Sequence, residues 1–223
     1  MPRPSPMAAR PPDDAAPPPR GAETRRRILD AAARALVQGG GVCEIGDVAR
    51  LAGVSAGLSY HYFGSKAGLI AALVEDFYDR YEAAVMDVNP KPGAGWADRE
   101  KIRTGRLVDF LYADALAPLV LGRLAREPEV AAVEADRIAR HVALAARNIE
   151  LAQGRGEIPA GLDAHLLGAM ILGGLRQAVG LALAQSHALS SRRPAHDRLA
   201  RDRLAAQLWQ FIAGAARLQE ASS

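Results

Sequence analysis

Gly53-Val54-Ser55-Ala56-Gly57 spells G-x-S-x-G, the spacing that presents a nucleophilic serine on a strained strand-to-helix elbow. That chemistry needs a buried strand before the serine and a later acid and histidine. Ile45, Val48, Ala49 and Ala52 instead fall at i, i+3, i+4 and i+7, a helical period, and no parallel-sheet pattern follows. Ser55 is therefore expected to cap a helix, and no enzymatic activity is predicted. Metal chemistry has no better footing. His141, His165, His187 and His196 lie far apart, no His-x-x-x-His pair occurs, and Cys43 is the single cysteine, so neither a metal site nor a cofactor is expected.

The residues that do suggest a ligand are cationic. Up to Arg27 there are six arginines against Asp13, Asp14 and Glu23, while the remaining 22 basic and 22 acidic residues cancel. The excess charge thus sits on one arm, which suits a polyanion, because each Lys or Arg near a phosphate releases condensed counterions. The first 20 residues hold eight of the fourteen prolines and no continuous apolar run, and read as a disordered arm rather than a secretion signal.

The elements behind that arm must be helical. Aromatics are only 5%, and Ala, Leu, Arg and Glu recur in long stretches free of proline. Ile28, Leu29, Ala32, Leu36 and Val37 share a stripe on a first helix capped by Thr24 and stopped by Gly39-Gly40-Gly41. The stripe Ile45 to Ala52 marks a short second helix. Gly53 then permits a tight turn, Val54 plugs the corner, and Ser55 caps a third helix, Ala56 to Phe63. Two short helices about a glycine corner have the spacing of a helix-turn-helix, whose second helix enters the major groove.

The run from Ile45 to Lys66, with its Ala-Gly-Val-Ser turn, Tyr-His-Tyr-Phe helix and Ser-Lys start of a fourth helix, resembles the signature of TetR/AcrR-type transcriptional regulators. The resemblance covers Thr24 to Tyr81 by motif. Beyond that it is one of helix pattern, including Arg155-Gly156-Glu157-Ile158-Pro159 before a long apolar helix. It implies that Ser55, Ala56, Leu58, Tyr60 and His61 meet DNA, the last four facing base edges, and that Tyr62 and Lys66 meet phosphates. Three departures matter. Cys43 and Glu44 stand where a capping Thr or Ser is common, Ala56 stands where Lys or Arg is common, and Ser59 replaces a usual aliphatic. Electrostatic affinity is then expected to shift onto Arg25, Arg26, Arg27 and Lys66.

The remainder reads as a helical bundle. Leu69, Ile70, Leu73, Phe77 and Tyr81 define helix four, broken by Asn89 to Gly95. Ile102, Val108, Leu111, Tyr112 and Leu116 form another stripe, and Pro128 opens a long helix to about Gln153. These helices are expected to enclose an effector cavity, with Trp96, Phe110, Tyr112, Leu119, Met170 and Leu175 as candidate lining. The last two helices, about Leu162 to Ala188 and Ala195 to Leu218, are expected to dimerise. Gly168, Gly173, Gly174 and Gly180 would permit close helix contact, with Leu204, Leu208, Phe211, Ile212 and Ala215 as the partner stripe. Arg176 and Gln177 sit mid-way along Leu166 to Leu183, the one span apolar enough to resemble a membrane helix, and argue for a buried helix instead.

The expected fold class is all-α: an arm (1–20), a three-helix helix-turn-helix head (21–66) and a helical ligand-binding and dimerisation domain (67–223). By the resemblance, the expected function is a cytoplasmic, ligand-responsive repressor that binds a near-palindromic operator as a homodimer. Its partners would be double-stranded DNA, a second copy of the chain and an unidentified small-molecule effector, with no membrane. The alternative is a helical binding or scaffold protein with a vestigial head.

Overall fold

The computed structural model describes residues 20–86, 91–188 and 194–218, and the described residues are all-α. The arm expected over residues 1–20, apart from the backbone of Arg20, and the side chains of His187 and His196 lie outside them.

The head is three helices. Helix α1 (Arg20–Gln38) buries Ile28, Leu29, Ala32 and Leu36 as the period requires, at about 1.5–3 kcal/mol for each large side chain. It begins a turn before Thr24, which therefore lies inside the helix. Val37 is 41% exposed and leaves the expected stripe. Helix α2 (Ile45–Ala52) buries all four predicted residues and ends on Gly53, whose φ of 65° and ψ of 40° lie in the left-handed region open to glycine. Helix α3 (Ala56–Phe63) follows at once, with the Ser55 hydroxyl accepting the Leu58 N–H at 3.2 Å.

Helix α4 (Lys66–Tyr81) packs on α1 and α3 in the head and on the body, burying Leu69, Leu73, Val74, Phe77, Tyr78 and Tyr81. It runs on into a π-helical turn, Glu82–Met86. The body comprises α5 (Trp96–Ala113), α6 (Pro128–Gly154), α7 (Ala164–Ala188) and α8 (Pro194–Ala215). α6 packs along α7, and α5 along α8. Pro128 opens α6 at a position that needs no N–H donor, as expected. Ile102 is 38% exposed, off the buried face of α5 that carries Leu107, Val108 and Leu111. A second π-helical turn, Leu119–Arg123, and a 3-10 turn, Leu124–Arg126, connect α5 to α6.

The α7 glycines divide by position. A Cβ at Gly168 would stand 3.3 Å from the Ala145 Cβ, so that glycine seats α7 against α6. One at Gly174 would stand 2.8 Å from the Phe211 ring, so that glycine receives α8. Gly173 has open space around it, and Gly180 reaches only Leu121, at 4.0 Å. The expected stripe on α8 likewise splits: Leu208 and Ile212 are buried within the chain, while Phe211 is 45% exposed.

Candidate nucleic-acid interface and effector cavity

The head presents α3 outward. Ala56, Tyr60 and His61 are exposed, while Leu58 and Tyr62 are half-buried. Ser55 is spent on capping, its hydroxyl taking the Leu58 amide in the first turn of α3. His61 and Tyr62 contact edge to face, with ring centroids 5.6 Å apart. The Tyr62 hydroxyl lies by the start of α1, 3.4 Å from where a Cβ on Gly21 would be. Ser59 is fully buried in the head, and its hydroxyl has no hydrogen-bond partner among the described residues.

The cations predicted to act together have different occupations. The Arg25 guanidinium stacks over Phe63 at 5.4 Å and has no ion-pair partner among the described residues. Arg26 pairs with Asp30 at 2.9 Å and Asp76 at 2.6 Å. Arg27 donates to the Ala52 carbonyl at 2.5 Å, closing the C-terminus of α2 beside Gly53. Lys66 donates to Glu44 at 2.9 Å, and that hydrogen bond holds its ammonium above the usual lysine range. Glu44 is the N-cap of α2 by position, but its side chain caps nothing there. Its carboxylate is instead neutralised by Lys66. Apart from the i,i+4 pair of Arg26 with Asp30, these contacts join residues 22 to 50 positions apart and leave no trace in the sequence.

The body holds two adjoining chambers that share Tyr81, Leu107, Leu172 and Leu175 in their walls. The larger, about 180 Å³, lies between α4, α5, α6 and α7 and is walled also by Phe77, Tyr78, Leu121, His141 and Arg176. The smaller, about 60 Å³, continues towards Trp96, Arg103, Asn148 and Ile149. Of the candidate lining residues, Trp96 and Leu175 face this space. Phe110 stands behind it, stacked on Phe77 and Tyr81 at 5.6 and 5.7 Å. Tyr112 and Leu119 pack on the core outside both chambers, and Met170 is 52% exposed on the outer face of α7.

A buried polar network beside the larger chamber ties α4 to α6 and α7, and sequence reasoning missed it apart from the oddity of Arg176 in an apolar helix. Arg176 donates to both carboxylate oxygens of Glu134 and to the Tyr78 hydroxyl, each at 2.9 Å, and Tyr78 donates to Glu134 at 2.9 Å. Nearby, Arg137 bonds Glu82 at 3.0 Å and Asp79 at 2.5 Å, and the His141 Nε2 meets Glu82 at 2.8 Å. Burial pushes the Tyr78 and Tyr81 hydroxyls well above the usual phenol range, so both stay protonated. Burial also pushes the Glu82 carboxyl up, but bonds from His141 and Arg137 outweigh it and hold the group below the usual range.

The second π-helical turn touches both regions. Leu121 walls the larger chamber, and on the other side the Arg123 guanidinium donates to the Gly40 carbonyl at 3.2 Å. Gly41, with φ of 92°, lets that turn close in. A Cβ there would lie 2.9 Å from the Arg123 Cδ and 3.3 Å from the Leu119 Cδ2. On the far side of the body, α7 and α8 leave Leu166, Met170, Leu181, Leu199 and Phe211 exposed, each by 45% or more.

A capped helix standing free beyond a glycine corner, joined through α4 to a cavity-bearing bundle, is the architecture of a helix-turn-helix head on a helical body. Residues 28–73 match the family described as bacterial regulatory proteins, tetR family. The chain is 38% identical over 61 residues to the HTH-type transcriptional regulator TtgR of Pseudomonas putida, 27% of this chain and 29% of that protein. The match therefore spans less than a third of that relative. Salmonella enterica GusR shares the fold over 90% of this chain and 98% of its own, with a TM-score of 0.69 at 24% identity. Bacillus subtilis FadR, solved in complex with stearoyl-CoA, does so over 85% and 98%, with a TM-score of 0.68 at 18% identity. Residues 28–73 are thus similar in sequence to the tetR family, and the chain as a whole shares its fold with solved structures described as TetR-family regulators.

Proposed function

We propose that the chain is a cytoplasmic, ligand-responsive transcriptional repressor that binds a near-palindromic operator as a homodimer, reading it with residues 21–66 and sensing an effector with residues 67–223. The observation that carries the reading is α3. Its outer residues Ala56, Tyr60 and His61 are left in solvent while its inner ones build the head. Such a rod suits the major groove: a small side chain allows close approach, and phenol and imidazole can bond base edges. Tyr62, Arg25 and Lys66 flank it as phosphate contacts.

The exposed apolar residues of α7 and α8 support self-association, because two such helices from each subunit make a four-helix interface and cover a face that water disfavours. That dimer would set two α3 helices in successive major grooves. Effector binding would act through α4, which carries Tyr78 and Tyr81 at the chambers and Lys66 beside α3. A ligand that favours a different α4 position lowers DNA affinity by its differential affinity for the two states. Selection of bound sequences from random duplex DNA tests the reading. An enriched motif with two-fold symmetry is expected, lost on replacing Tyr60 and His61 by alanine. Recovery of no motif from a folded dimer would leave the head vestigial and the proposal refuted.

A further inference from the structure

We infer that the two joined chambers take an uncharged, single-ring ligand bearing a short hydrogen-bonding substituent, and exclude its carboxylate and ammonium analogues. The inference rests on the effector-sensing reading above and specifies the ligand.

Charge is the first argument. The charged side chains in the walls already have their partners, Arg176 with Glu134 and Arg103 with Glu100, and the His141 ring nitrogen meets Glu82. An anionic ligand reaching Arg176 would have to displace Glu134, which is 5% exposed and would be left buried without its counter-ion. A cation reaching Glu100 would strand Arg103 in the same way. Neither exchange is favourable, because burying an unmatched charge outweighs one new contact.

Unused neutral groups are the second argument. Asn148 and the Trp96 indole wall the smaller chamber and make no side-chain hydrogen bond among the described residues. Among the described residues the Tyr81 hydroxyl reaches only the Met86 sulfur, at 3.8 Å, a weak acceptor. These groups can donate to a carbonyl, ester or hydroxyl oxygen without disturbing any ion pair.

Size is the third. The larger chamber, about 180 Å³ and mostly aliphatic and aromatic, is close to the roughly 150 Å³ at which a dry cavity accepts benzene. The smaller one adds room for a few atoms beyond the shared residues Tyr81, Leu107, Leu172 and Leu175. A ring in the first places its substituent in the second. The two volumes together match a ring with a short substituent better than a long acyl chain.

The test uses the full chain with Trp209→Phe, leaving Trp96 as the one indole reporter inside the smaller chamber. Its fluorescence is titrated with acetophenone, toluene, benzoate, benzylammonium and stearoyl-CoA. Acetophenone should quench saturably, with benzoate and benzylammonium at least about tenfold weaker, the ratio that corresponds to about 1.4 kcal/mol. Ala169→Phe, which fills the larger chamber, should abolish the response while thermal melting reports the fold. Asn148→Ala, at a half-exposed position, should weaken acetophenone several-fold and leave toluene unchanged. Benzoate binding as tightly as acetophenone, stearoyl-CoA binding more tightly, or no saturation by either uncharged ring compound would overturn the inference. DNA plays no part in this readout. If acetophenone binds but does not release operator DNA, the ligand class stands and the effector reading fails.

Discussion

Replacing Arg25 with glutamine should change the salt dependence of DNA binding more than the same change at either neighbour. A protein that neutralises Z phosphates loses affinity with a slope of about −0.9Z in log K against log salt. Arg25 stacks on Phe63 with no carboxylate to compete for it, so in a dimer its two copies account for about −1.8 of that slope. Over a rise from about 50 to about 200 mM salt the wild type should lose about twelvefold more affinity than Arg25→Gln. Arg26 is already held by Asp30 and Asp76, and Arg26→Gln should flatten the slope by less than half as much. Arg27→Gln should leave the slope nearly intact but destabilise the head by about 1 kcal/mol, through the lost bond to the Ala52 carbonyl. Fluorescence anisotropy on specific and scrambled duplexes across a salt series measures all three. A wild-type slope in Arg25→Gln, or equal flattening by all three variants, would refute the assignment of free and occupied cations.

Glu134→Gln removes one partner of a buried pair and leaves Arg176 unmatched, which should cost about 3–5 kcal/mol in denaturant unfolding, whereas Glu134→Leu with Arg176→Met should recover most of it. Ser59→Ala removes a buried hydroxyl that bonds nothing, so the head should melt higher, by the equivalent of about 1 kcal/mol; a lower melting temperature would show a partner in solution. Because the Glu82 carboxyl is held below its ordinary value of 4.5, it stabilises the fold above that pH and loses its contribution as pH falls through the lowered value. Melting temperature should therefore drop below about pH 4.5 in the wild type, and drop less steeply in Glu82→Gln.

Local signals carried much of this architecture in the sequence. The Gly53 corner, the Ser55 cap and the Pro128 start stand where residue type and spacing put them, since each depends only on backbone preferences within a few residues. The chamber lining was less legible. Helical period separates a buried face from an exposed one but does not tell core from cavity, so Leu175 and Met170, five residues apart on α7, were grouped although one walls the chambers and the other faces out. The two π-helical turns have no sequence rule of their own and follow from how α4 and α5 meet the bundle. The roles of Arg26, Arg27, Glu44 and Glu134 depend on partners 22 to 50 residues away or on another helix. Arg176 alone left a trace, a charge inside an apolar stretch that had to find a counter-ion.

The seam at Gly40 and Gly41 constrains anyone wishing to re-wire this scaffold. A hybrid sensor joined at Ser65 would preserve the covalent passage through α4 yet sever the lateral one, where Arg123 and Leu119 rest on the glycines while Leu121 borders the chamber. Foreign bodies lacking a matching 119–123 turn would leave that loop unsupported, and a bulkier residue at 41 would wedge the two halves apart. Transplants should therefore carry both pieces together, treating residues 39–41 and 119–123 as one removable joint.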